Sequence, residues 1–217
     1  MFIGHFAVGF AAKRVQPGLS LGWLMAATLL PDLLWAFFLL TGLERVRIAP
    51  GDTAVTPLEF QHYPYSHSLL ASLAWAGLLA VLGARRHGRR AAVVLAAGVL
   101  SHFCLDWVSH RPDLPLYPGS EIRVGLGLWR SVPGTLVVES TLFGLSLWLY
   151  GQATRPRDRA GRWGLAVLVA FLVTLYAGSV LGPPPPSVNA VALADLALWP
   201  VVPWVAWIDR HRVARPG

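Results

Sequence analysis

Long apolar runs separated by short polar segments set the layout of this chain. Five runs read as full membrane spans, at roughly Leu19–Leu40, Ser68–Gly83, Ala91–His110, Pro133–Tyr150 and Gly164–Leu181. A sixth extends from about Val188 to Ile208. The first apolar stretch, Phe2–Ala12, is too short to cross, because a spanning helix needs about 20 residues. It forms either a half-helix in the bilayer or a helix lying on its surface. The expected fold is all-α: a polytopic helical membrane protein with about six transmembrane helices plus a short N-terminal half-helix. Residues 1–217 read as a single integral membrane domain. The candidate chemistry falls within 1–150, and 162–208 add a C-terminal helix pair.

Composition agrees with that pattern. The chain is 55% hydrophobic and 13% charged, where a soluble domain carries about 25% charged residues. Ten Trp fit the enrichment of that residue at bilayer interfaces. The net charge of +7 raises the question of nucleic acid, but the basic residues fall in short clusters between apolar runs. That placement is a topology signal rather than a binding stripe, so no nucleic-acid partner is expected. Cys104 is the single cysteine, which excludes an intramolecular disulfide and a cysteine-based zinc site. In an apolar helix it is expected as a small packing residue. Lys13 and Arg14 follow the first apolar stretch instead of preceding it, so no cleavable signal is expected.

Counting Lys and Arg on alternate sides of the spans gives 13 against 5. The larger set includes Lys13, Arg85 to Arg90, Arg155 to Arg162 and Arg210 to Arg215; the smaller is Arg45, Arg47, Arg111, Arg123 and Arg130. The positive-inside rule puts the first set, and both termini, in the cytoplasm of a bacterial inner-membrane protein. The external loops are then 41–66, 111–132 and 182–187. Loop 111–132, rich in Pro and Gly, has the character of a lid or mouth.

Against this background the ionisable residues in or at the mouth of the spans stand out: His5, Asp32, His67, His102, Asp106, His110 and Glu139, with His62 close by. Each costs about 2.5–3.5 kcal/mol on insertion scales, so by default they mark a working site. A rise of about 1.5 Å per residue puts Asp32, His102, Asp106 and Glu139 at similar depths in the outer half of the bilayer. His67 starts its span just above them. His5 reaches His102 from below only if Phe2–Ala12 enters the bilayer. His102, Asp106 and His110 share one helix face at i, i+4 and i+8. His102 and His110 are about 12 Å apart along the axis, so one ion cannot take both. His110 is then a mouth residue or a ligand to a second ion. The plain alternative for Asp106 is a histidine partner that helps helices associate, but such bonds average only about 0.6 kcal/mol. Asp195 has no evident partner and suggests helix packing or a small cavity.

The motifs Gly4-His5, Pro31-Asp32, His62…His67-Ser68 and Ser101-His102…Leu105-Asp106, in this order, resemble the bacterial inner-membrane family of membrane-bound metal-dependent hydrolases. The resemblance covers roughly residues 1–110. It implies a metal-assisted hydrolase with His5, Asp32, His67, His102 and Asp106 as ligands. Two departures bear on it. The family's Pro-Asp-x-Asp is here Pro31-Asp32-Leu33-Leu34, and its His-Arg-Gly is here His62-Tyr63-Pro64. A ligand is therefore lost, or replaced by Glu139 or His110.

Nitrogen and oxygen ligands suit a divalent ion, zinc first, with manganese or iron as alternatives. Such an ion lowers the pKa of water towards 7. Glu139, with His62 and His110, is the candidate for moving the proton. Arg111, Arg123 and Arg130 are candidates to hold an anionic head group. A site below a lid suits a lipid or amphiphilic substrate, an ester or phosphoester. Two other classes remain. Intramembrane Asp, His and Glu also make proton or metal-ion pathways, although no pair of broken helices at matching places is evident. A closed site of four protein ligands would instead be a structural metal staple.

Overall fold

The computed structural model describes residues 1–215. Its helices are α1 (Ile3–Val15), α2 (Leu21–Thr28), α3 (Leu30–Leu40), α4 (Pro64–His67), α5 (Leu69–His87), α6 (Arg89–Ser109), α7 (Val132–Ala153), α8 (Arg159–Leu181), α9 (Val188–Leu196) and α10 (Val201–Arg210). Five segments are long and apolar enough to cross a membrane: α5, α6, α7, α8 and the run Val188–Arg210 that joins α9 and α10. A sixth is the pair α2 and α3, which passes the same test as one bent unit. The all-α, six-span expectation is met.

The first span differs from expectation in one respect that matters. It is not a straight helix: α2 and α3 meet at 55°. Pro31 lies in the first turn of α3 and has no N–H to continue the ladder from α2. The break places Asp32 in the first turn of a new helix and frees the end of α2 for other partners. The last span is also interrupted, at Ala197–Pro200, and α9 packs on α3 while α10 packs on α2. Two interrupted spans therefore lie side by side, a pairing the sequence reading did not see. Gly22 allows the close approach, since a Cβ there would lie 2.6 Å from Ala206 Cβ. Between apolar helices in lipid, such packing replaces the hydrophobic drive that operates in water.

The helix α1 settles the question left open at its position. It is a half-helix inside the bundle, with Ile3, His5, Phe6, Ala7 and Phe10 buried, and it packs mainly on α7, α2 and α6. Phe10 meets Phe143 and Tyr150 edge to face, at 6.0 and 5.3 Å between ring centroids. The turn between α5 and α6 is a single residue, Gly88 at φ +85°, a value glycine adopts without strain. Arg85, Arg86, Arg89 and Arg90 consequently sit on helical turns rather than in a loop.

Lys13 does not behave as a free topology-setting charge. It is buried, and its Nζ lies 2.6 Å from Asp209 Oδ2 and donates to the Leu19 carbonyl. Asp209 also accepts from the Leu21 amide and the Tyr150 hydroxyl, so one carboxylate ties α1, α2, α7 and α10 together. Cys104, expected among packing residues, sits on the exposed face of α6.

At the opposite end the long connections are more structured than the sequence suggested. Strands β1 (Arg45–Ile48) and β2 (Leu58–His62) form an antiparallel hairpin, and β3 (Leu114–Pro115) pairs with β4 (Arg123–Val124). A third pair, β5 (Thr154–Pro156) with β6 (Arg212–Ala214), joins the end of α7 to the C-terminal segment. The first two hairpins cap the bundle over a small apolar cluster of Trp35, Leu39, Val46, Tyr63, Phe103, Leu114 and Ala192.

Candidate metal centre

Four donor atoms meet beneath that cap. His102 Nε2 lies 3.1 Å from Asp106 Oδ2 and 3.5 Å from Asp32 Oδ1. His67 Nε2 lies 3.3 Å from the same Asp32 oxygen and 3.8 Å from the same Asp106 oxygen. Nitrogen and oxygen thus alternate round a closed ring. Ligands at about 2.0–2.2 Å from a tetrahedral ion would stand about 3.3–3.6 Å apart, so this ring has the dimensions of a ligand set. His5 adds a fifth group. Its ring stacks on that of His102 at 3.6 Å, and its Nε2 lies 3.1 Å from Asp106 Oδ1. Two triads emerge that could each hold an ion, His5–His102–Asp106 and Asp32–His67–His102.

The surroundings fix which nitrogens face the ring. His102 Nδ1 lies 2.8 Å from the Thr28 carbonyl, which can only accept, so Nδ1 carries the proton. The broken helix at Pro31 is what presents that carbonyl. Nε2 is then aimed between two carboxylates, and it is buried with no completed hydrogen bond. Two carboxylates converging on one imidazole nitrogen need positive charge between them, which a proton on Nε2 or a metal ion supplies.

The same logic holds at His67. Ser66 Oγ donates to Glu44 Oε2 at 2.5 Å and lies 2.6 Å from His67 Nδ1. With its only proton directed at Glu44, Ser66 accepts from His67 Nδ1–H, and His67 Nε2 is left facing Asp32 and Asp106. Glu44 is itself buried and also accepts from the Tyr65 and Ser66 amides. Such outer partners commonly orient metal-binding histidines.

The remaining expected residues divide. Glu139 is buried on α7, and its Oε2 accepts from the Phe2 and Gly4 amides, at 2.9 and 3.1 Å. It caps the start of α1, which has no side-chain cap of its own, and so holds His5 in place. The Met1 nitrogen also reaches the cluster, 2.5 Å from Asp106 Oδ1. His110 stands at the mouth, its Nε2 3.9 Å from Asp106 Oδ1 and its Nδ1 3.0 Å from Asp113 Oδ1. Tyr63 and Arg111 also donate to Asp113. Burial pushes the Asp113 carboxyl up, but these hydrogen bonds outweigh it and hold it below its ordinary value.

His62 is not brought to the cluster. It ends β2, with its ring 5.9 Å from Tyr65. Arg111 is engaged by both Asp52 and Asp113. Arg123 and Arg130 are exposed, and Arg123 donates to the Asp113 carbonyl. Sequence reasoning missed Glu44, Ser66 and Asp113. Ser66 stands directly beside His67, whereas Glu44 carries no local signal at all.

A family model matches residues 1–181, most of the chain and all of the cluster. The chain belongs to the YdjM inner membrane protein family. No curated protein and no solved structure matches it. Membership of the YdjM family makes this a multi-pass inner-membrane protein. In this member of the family, a buried His/Asp cluster of metal-binding composition lies among the spans.

Proposed function

We propose that the chain is a membrane-embedded metal-dependent hydrolase acting on an ester or phosphoester of a lipid or other amphiphile. The observation that carries this reading is the orientation of His102, whose Nδ1 is held by the Thr28 carbonyl and whose Nε2 is aimed between two carboxylates. Asp32, His67, His102 and Asp106 would hold a divalent ion, zinc first by donor type, with His5 on the second oxygen of Asp106. Bound there, such an ion polarises an ester or phosphoryl oxygen and lowers the pKa of water.

The chain's own residues do the rest. Asp113 orients His110, whose Nε2 faces the cluster and takes up and returns the proton. Glu139 acts as a positioning residue through α1. Arg123 and Arg130 hold an anionic head group, since Arg111 is already neutralised. Asp32, with 22% of its side chain exposed, is the most accessible of the five groups and marks the side from which substrate arrives. The excess of basic residues at the α5–α6 end favours that end, with the C-terminus, in the cytoplasm and the cluster towards the periplasm. The first residue, expected in the cytoplasm, lies instead at the cluster, because α1 enters the bundle.

A second reading has one observation in its favour: four protein donors would fill a tetrahedral site, as in a structural staple. Elemental mass spectrometry of detergent-purified protein tests both, with wild type beside His102→Ala and Asp106→Ala. About one or two ions per chain, lost in both variants, is the expected result. Absence of metal under loading conditions would sink both readings. Metal without turnover of any lipid ester, together with chelator-induced loss of thermal stability, would leave the staple.

A further inference from the structure

A cavity of about 620 Å³ opens beside the cluster, within the size range of about 300–1,000 Å³ usual for ligand pockets. Its walls come from α8, through Leu175 and Gly178, and from α9, through Ala194 and Asp195. Loop residues 50–58 and Pro183–Pro185 form its rim, and Phe2 and Trp35 lie at its inner end. Both walls belong to membrane-crossing segments. Helices α8 and α9 diverge from the 182–187 connection instead of packing on each other. A gap between spans at bilayer depth is wetted by lipid tails, and its walls are mostly apolar.

The inner end is not apolar. Asp195 Oδ2 is buried and has no hydrogen-bond partner among the described residues. Trp35 lies one turn beyond Asp32 on α3, and its ring is 6.2 Å from that of His67. The Trp199 indole donates to the Leu33 carbonyl and fixes the α9–α10 junction against α3. The floor of the cavity therefore adjoins the accessible side of the cluster, at Asp32. An apolar channel lined by one unpartnered carboxylate, Asp195, is complementary to a chain whose head carries an N–H donor and a positive charge.

We propose that this cleft seats one acyl chain of an amine-bearing phospholipid of the phosphatidylethanolamine type, with its ammonium group on Asp195. The lipid reaches the cleft sideways from the bilayer, between α8 and α9. The purpose of the seat rests on the hydrolase reading, but its occupancy does not, so the two can fail separately.

The test uses full-length protein in vesicles containing a phosphatidylethanolamine with a mid-chain diazirine, beside the matching phosphatidylcholine. After irradiation, labelled peptides are mapped by mass spectrometry. Labelling by the ethanolamine lipid is expected to concentrate on the α8 and α9 segments of the cleft, several-fold above the choline lipid. Gly178→Trp fills the cleft, because a Cβ at Gly178 meets nothing within 4 Å, and it should abolish that labelling. Gly144→Trp, equally unobstructed but on α7, should leave it intact. Asp195→Leu should bring the ethanolamine lipid down to the choline level. Equal labelling by both lipids, or undiminished labelling in Gly178→Trp, would overturn the proposal. Metal content is measured on the same samples. Cleft labelling without metal would reject the hydrolase reading and keep the seat; metal without cleft labelling would do the reverse.

Discussion

Replacing Ser66 by Ala removes one buried hydroxyl and should weaken metal binding without touching a ligand. In the native protein Ser66 Oγ stands 2.6 Å from His67 Nδ1 and 2.5 Å from Glu44 Oε2. Its loss leaves His67 Nδ1–H without an acceptor, at about 1–3 kcal/mol. The ring can escape that cost by moving its proton to Nε2, which already lies 3.3 Å from Asp32 Oδ1. That tautomer cannot ligate. Loss of such an orienting partner typically lowers metal affinity about 10–100-fold. At about 1.4 kcal/mol per decade, this range matches the cost of the orphaned donor. Glu44→Gln tests the same relay from its far end. The amide can direct N–H towards Ser66 Oγ, turning the serine proton towards His67. Affinity is read by competition with a chelator of known strength, and circular dichroism on heating reports whether the helices persist. Wild-type affinity in both variants, with the fold intact, would refute the tautomer argument and with it the main support for a metal at His67.

Two further substitutions test the packing account. Glu139→Ala should lower the thermal midpoint by an amount corresponding to the loss of a helix cap, about 0.5–2 kcal/mol. Glu139→Gln should cost much less, because its carbonyl oxygen still accepts from the Phe2 and Gly4 amides; equal losses in a melting assay would rule capping out. Lys13→Met leaves the Asp209 carboxylate buried without its cation, a change of about 3–5 kcal/mol for a broken buried pair. Lys13→Met combined with Asp209→Leu should recover part of that stability, and a double variant no better than Lys13→Met would show that the pair is not the element at stake.

Much of the site could be read along the chain. The i, i+4 spacing of His102 and Asp106 puts both on one buried face of α6, whereas His110 at i+8 falls just past the helix end, still 3.9 Å from Asp106. His67 comes to the cluster from the end of α4, just before the second span, while Asp32 comes from the first turn of α3 after the break at Pro31. His5 was reachable only in part, since its role depended on whether α1 entered the bilayer. That choice is made by Phe6, Phe10 and the cap from Glu139, a residue 134 positions later. Glu44 was not readable at all. A lone carboxylate just past an apolar run reads as solvated until the short helix α4 folds over it and supplies three donors.

The sequence by itself determined the number of spans, their boundaries to within a few residues, and which of them carry ionisable groups. It could do so because hydrocarbon tolerates only long apolar helices and makes every charge inside them conspicuous. Tertiary structure alone decided the break at Pro31, the pairing of the interrupted spans, the tautomers of His67 and His102, and the cleft that ends on Asp195. Each of those depends on a hydrogen bond or a gap between segments far apart in the chain. No local pattern of residues encodes such contacts, since they exist only once the helices have taken their places.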